Sequence, residues 1–226
     1  MIRMEQKEKN QLLEKIQGKP DLEAFVSEVL RQPEYITELF AIIKADPGSA
    51  KFYCEKAIRI VSERKPECIY PYFVEVAELI ESPNSFIKWG AITTLSNLAA
   101  VDTENKFASV YEKYFSLIEA DAMVTAANVI GNAWKIILSK PEYEQDITKR
   151  MLRIPQNTYL YKGEPSPECR NILCGHAIDC FDKYFELAHD KNGILAFASA
   201  QTHNSRKQVA KKATAFLKKH MQQINV

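Results

Sequence analysis

Cys169, His176 and Cys180 are separated by seven and four residues, so on a helix beginning near Pro167 they fall on one side. Three soft ligands invite a metal. Structural zinc sites, however, take their cysteines in close pairs from a knuckle or loop, and no fourth ligand is evident. The triple is the one metal candidate, and the expectation is that no metal is bound. Cys180, beside Ala177 and Phe181, reads as a small core residue. No cysteine-protease signature surrounds any of the thiols, although His189 lies close in sequence. A Gly-rich phosphate loop, Gly-x-Ser-x-Gly and His-Glu-x-x-His are all absent, and only His176, His189, His203 and His220 could serve acid–base chemistry. The sequence predicts no catalytic residue and no cofactor.

Residues suited to recognition are better represented. Trp89 falls off the apolar stripe of its segment and is expected to be partly exposed, whereas Trp134 shares a side with Ile130 and Ile137 and is expected in the core. Tyr159 and Tyr161 lie in Ile154–Glu168, where three prolines and one glycine exclude a continuous helix. Their rings either pack back on the rest of the chain, the preferred role, or meet a partner. Trp89, Tyr159 and Tyr161 are therefore the candidate partner-binding residues.

Charge is unevenly distributed. The net charge is +1, yet residues 191–226 hold seven basic and no acidic residues, leaving −6 on the first 190. A helix over Ser205–His220 places Val209, Ala213, Phe216 and Leu217 on one face, with Arg206, Lys207, Lys211, Lys212, Lys218 and Lys219 around the remainder. This ridge either solubilises a terminal repeat and complements the helix dipole or meets nucleic-acid phosphates.

The elements that must carry these residues are helical. A 46% hydrophobic and 26% charged composition with only 7 Gly in 226 residues fits an all-α globular chain. No apolar run reaches the roughly 20 residues of a membrane span, and the first ten residues lack a signal peptide's apolar core. Five cysteines make a disulfide framework improbable, so the expected setting is cytoplasmic.

Ser85–Ala99 carries the clearest amphipathic pattern, with Ile87, Ala91, Leu95 and Leu98 on one stripe, Lys88, Thr94 and Asn97 elsewhere, and Asn84 or Ser85 able to cap its start. The pattern recurs: Ala57 with Val61, Ala91 with Leu95, Ala126 with Ile130, Ala177 with Phe181 and Ala213 with Leu217. Tyr53, Ile87, Ala122, Leu173 and Val209 stand one turn earlier. The alanines are 34, 35, 51 and 36 residues apart, and the long interval contains the Ile154–Glu168 insertion. Partner helices are expected over Pro33–Ala45, Tyr70–Glu81 and Phe107–Ala120, closed by Ile43-Lys-Ala-Asp46, Ile80-Glu-Ser-Pro83 and Ile118-Glu-Ala-Asp121. The unit is helix, turn, helix.

Ser82-Pro-Asn-Ser-Phe-Ile-Lys-Trp-Gly-Ala-Ile-Thr-Thr-Leu-Ser-Asn-Leu-Ala99 resembles the second helix of a HEAT repeat, with Ile87-Lys88, Ala91-Ile92, Leu95 and Leu98 at the positions that family favours. The resemblance extends over roughly Pro33 to His220, although the copies at Ala126 and Ala177 lack the basic residue. It implies a right-handed α-α superhelix, a HEAT- or armadillo-like solenoid of about five helical hairpins in one domain over residues 1–226. It also implies a noncatalytic scaffold that binds a protein partner on its concave face or through the inserted loop.

The chain is also similar in size and architecture to alkylpurine DNA glycosylases built from HEAT-like repeats. That alternative makes it a nucleic-acid-binding protein working through the basic last helix. Those enzymes use aromatic and acidic residues, but Thr93 and Leu138 stand where an acid would follow Trp89 and Trp134.

Overall fold

Ser82, Pro83 and Asn84 break the chain, and the Asn84 carboxamide oxygen then accepts the Phe86 and Ile87 N–H groups at 3.0 and 3.3 Å. Two of the first-turn donors are thereby satisfied, and the helix Ser85–Leu98 starts where the sequence places it. In this computed structural model, which describes residues 12–224, the same logic sets the other helices, and the contacts divide the chain into two compact units meeting at Phe107 and Ala108.

The first unit begins with a helical stretch over residues 12–17, which buries Leu12 and Ile16. There follow α1 (Leu22–Arg31), α2 (Tyr35–Ala45), α3 (Ala50–Arg64), a single turn at Pro66–Ile69, α4 (Phe73–Leu79) and α5 (Ser85–Leu98). Asp21 caps α1 by accepting the Ala24 N–H at 2.8 Å. Helix α3 packs on α1, α2 and α5, and α4 packs on α5, so α2 with α3 and α4 with α5 form two helical hairpins. The polar side chains of α5 do not all face solvent as the amphipathic pattern suggests. Thr94 and Asn97 are buried, and Asn97 Nδ2 donates to Ser62 Oγ of α3 at 2.9 Å. A stacked helix has neighbours on more than one side, which an amphipathic pattern does not record.

In the second unit come α6 (Tyr111–Ser116), α7 (Met123–Ser139), α8 (Glu144–Leu152), α9 (Pro167–Tyr184), α10 (Lys191–Gln201) and α11 (Lys207–Ile224). Helix α9 packs against both α7 and α11, while α8 packs on α7 and α10 on α11. Ser166 and Asp190 cap α9 and α10 by accepting the Cys169 and Gly193 N–H groups. The segment before α9 forms a 3₁₀ turn at Ile154–Gln156 and a short antiparallel hairpin pairing Leu160 with Pro165 and Tyr161 with Glu164. Its two-residue tip has Lys162 and Gly163 both at positive φ, a backbone form in which glycine carries no steric cost.

All five alanines of the repeat are buried. They lie on α3 and α5 in the first unit and on α7, α9 and α11 in the second, where a small residue permits close approach of a neighbouring helix. The positions one turn earlier are less uniform. Ile87, Leu173 and Val209 are buried, Tyr53 is half-buried, and Ala122 is exposed because it is the N-cap residue of α7 and lies outside the helix. Trp134 is also half-buried and not in the core. Its indole lies near the Lys135 and Lys183 ammonium groups, 5.9 and 6.0 Å from the ring centroid. No described helix is long and apolar enough to cross a membrane.

Candidate functional site

Capping by Asn84 fixes the phase of α5. With Ile87, Ala91 and Leu95 turned inward, Phe86 and Trp89, three residues apart, share a face off that stripe. Their rings meet edge to face at 5.4 Å, and Phe52 of α3 closes on Phe86 at 6.0 Å. Phe86 is 65% exposed, while Phe52 and Trp89 are half-buried. Single exposed aromatics are ordinary; two rings meeting a third, Phe86, across two helices form an apolar patch of the kind partners cover. The Lys51 ammonium lies 5.4 Å from the Phe52 ring centroid.

Beside this patch, Glu55 of α3 extends over Gly90 of α5. Burial raises its carboxyl above the usual range, although Arg59, whose Nε donates to it at 3.2 Å, pulls the other way. Phe52 also lines a groove of about 300 Å³, with Ile16, Ala50 and Tyr53 among its apolar lining and Lys19 and Lys56 as its charged residues. The Tyr53 hydroxyl donates to the Pro20 carbonyl at 2.9 Å.

Of the three sequence candidates for partner binding, the structure leaves Trp89 and Tyr161 accessible and buries Tyr159. Trp89 belongs to the patch of the first unit. Tyr159 belongs to the interior of the second: it is 1% exposed, and its hydroxyl donates to the Ile118 carbonyl at 2.7 Å. The backbone reinforces this, since the Leu160 N–H reaches the Asp121 carbonyl at 3.0 Å. Tyr159 therefore anchors the insertion and presents no surface to a partner. Tyr161, 61% exposed, stands on the hairpin with the Lys162 ammonium 5.4 Å from its ring centroid.

Half of the basic residues of α11 and its approach are engaged by acids of α9. Arg206 pairs with Glu168, Lys212 with Asp179, and Lys219 with Asp182 at 2.8 Å. Lys207, Lys211 and Lys218 are exposed and form no ion pair among the described residues. The buried His220 ring packs on Phe185 and Phe216 and lies 2.7 Å from Asp182 Oδ1. Burial alone would raise the Asp182 carboxyl, but hydrogen bonds from Lys219 and His220 outweigh it and lower its pKa.

The possible metal triple does not assemble. Eleven residues of helix separate Cys169 from Cys180, about 16 Å along the axis, and no cluster of three or more metal-ligating side chains occurs among the described residues. All five cysteines are free. Burial pushes the Cys54 and Cys180 thiols up to about 12 and Cys174 up to about 11, the reverse of what a nucleophile requires. His176 is lowered, mainly by burial and then by Lys212.

A larger groove in the second unit, about 650 Å³, runs along α8 past Glu144, Lys149, Arg153 and His189. Its buried carboxylate is structural: Glu144 accepts from Thr148 Oγ1 at 2.8 Å and from the His189 N–H at 3.2 Å, while Thr148 also meets the Tyr184 hydroxyl at 2.6 Å.

The sequence singles out Trp89 as partly exposed, which it is, but neither Phe52 nor Phe86 beside it. The available signal was the three-residue spacing of Phe86 and Trp89 off the apolar stripe; the contact with Phe52 depends on how α3 and α5 stack.

No family model matches the chain, and no curated protein is significantly similar to it in sequence. Among solved structures, it is similar to a chain of the Pds5-Scc1 complex, with 11% identity, a TM-score of 0.56 and coverage of 84% of this chain. The match spans 30% of that longer chain. It is also similar to a designed armadillo repeat protein in complex with a (KR)4 peptide, with 14% identity, a TM-score of 0.56, and coverage of 94% and 93% of the two chains. The fold is that of HEAT- and armadillo-like helical repeats.

Proposed function

We propose that this chain is a noncatalytic interaction scaffold whose partner is a protein bound on the second-helix face of the first unit. The observation that carries this is the solvent-facing contact of Phe86 with Phe52 and Trp89. Covering such rings removes apolar surface from water, about 1.5–3 kcal/mol for a fully buried large side chain, and tryptophan is enriched among the residues that dominate interface energies. Both similar structures include a bound partner, Scc1 in one and a (KR)4 peptide in the other, which supports a recognition role for this architecture. The pairing of Arg206, Lys212 and Lys219 with α9 acids favours this reading over nucleic-acid binding.

A photocrosslinking amino acid at position 86 tests it in cells. A specific heavier conjugate is expected from position 86 and not from position 74, where Val74 is comparably exposed on α4. No conjugate at 86, or the same set from both positions, counts against the assignment.

A further inference from the structure

Resting on that reading, we infer that the partner is an acidic segment carrying a bulky apolar anchor. Phe52 both contacts Phe86 and lines the 300 Å³ groove, so patch and groove join at this residue. The groove is at the small end of ligand cavities, a size suited to a side chain entering from an extended or helical segment.

Its charge has one sign. Lys19 and Lys56 are the charged residues of the lining, both are exposed, and neither forms an ion pair among the described residues. Nearby carboxylates are already engaged by this chain. Asp21 accepts the Ala24 N–H, Asp46 accepts the Lys51 N–H at 3.3 Å, and Glu55 takes Arg59. The Lys51 Nζ donates to the Asp46 carbonyl, which holds its ammonium close to Phe52. An incoming carboxylate would meet two exposed ammonium groups, one of which, Lys56, already lies in the field of Glu55, whereas a lysine or arginine would meet like charge at both. The polarity is opposite to that of the (KR)4 peptide held by the designed armadillo protein. Shared fold carries no shared ligand charge.

Fluorescence anisotropy with three labelled peptides of about 15 residues tests the inference. One alternates glutamates with leucine and phenylalanine at helical spacing, the second replaces its glutamates by lysine, and the third replaces its apolar residues by serine. The first is expected to bind at least about tenfold more tightly than the others, with affinity falling as salt is raised. Lys19→Glu/Lys56→Glu and, separately, Phe86→Ala/Trp89→Ala should each weaken it by about tenfold or more while the variants still unfold cooperatively above the assay temperature.

Equal or tighter binding of the lysine peptide overturns the acidic assignment. If that binding still requires Phe86 and Trp89, the aromatic surface stands and only its polarity is wrong. Absence of acidic-peptide binding, or indifference to Lys19→Glu/Lys56→Glu, also overturns the inference, while a conjugate from position 86 would uphold the reading beneath it.

Discussion

Gly90 leaves vacant the space that the Glu55 carboxylate fills, since a Cβ at position 90 would fall on the Glu55 side chain. Two opposing effects follow from Gly90→Ala. Alanine favours the helix by about 1 kcal/mol, whereas displacing a packed, ion-paired carboxylate costs about 1–3 kcal/mol. Gly90→Ala should therefore be less favourable in the wild-type protein than in the Glu55→Ala variant. Chemical denaturation of the four-member cycle measures this, and an equal effect in both backgrounds would refute the packing of Glu55 over Gly90.

The raised pKa of Glu55 has a definite sign in stability. The folded state holds its proton more tightly than the unfolded chain does, so this contribution is present at low pH and lost as pH rises through the folded value. Relative to Glu55→Gln, wild type should gain thermal stability as pH falls from neutrality toward the ordinary glutamate value of 4.5. A flat or inverted difference in Tm contradicts the assignment.

Tyr159→Phe removes the hydroxyl that donates to the Ile118 carbonyl and leaves a buried acceptor short of one donor. A cost of about 1–3 kcal/mol is expected, against about 0.5 kcal/mol or less for Tyr161→Phe on the exposed hairpin. Equal effects in urea denaturation would argue against Tyr159 as the anchor.

Asp182 and Asp179 both pair with lysines of α11, but Asp182 alone also bonds the buried His220 ring. Asp182→Ala should accordingly cost about 1 kcal/mol more than Asp179→Ala, whose exposed ion pair is worth little. Thermal unfolding of the two variants provides the comparison.

The remaining free cations of α11 give a test of nucleic-acid binding. Duplex DNA should show no retention at low salt that Lys207→Glu/Lys211→Glu/Lys218→Glu abolishes, and the same triple variant should leave crosslinking from position 86 unchanged. Retention that depends on those lysines would move the function to the second unit.

The repeat was legible because its marker is steric. Ala57, Ala91, Ala126, Ala177 and Ala213 are all buried on helices, where a small residue lets a neighbour approach, so sequence spacing and burial agree. The Asn84 cap was legible for a similar local reason. Features joining one repeat to the next were not. Arg206, Lys212 and Lys219 read as a basic ridge because their partners Glu168, Asp179 and Asp182 lie 33 to 38 residues upstream. Trp134 was misplaced because an apolar stripe does not tell a core edge from its centre. Tyr159 stands among the partner-binding candidates in the sequence, and only Ile118, 41 residues away, shows it to be a buried anchor.

That 41-residue return has a kinetic consequence. Hairpins joined only to their neighbours can form or fray one at a time from an end. Because Tyr159 and Leu160 reach back to Ile118 and Asp121, α6, α7 and the start of α9 close a long loop together. The amide protons of these helices should exchange with deuterium as one cooperative block, and the second unit should acquire its structure later than local helix formation alone would allow.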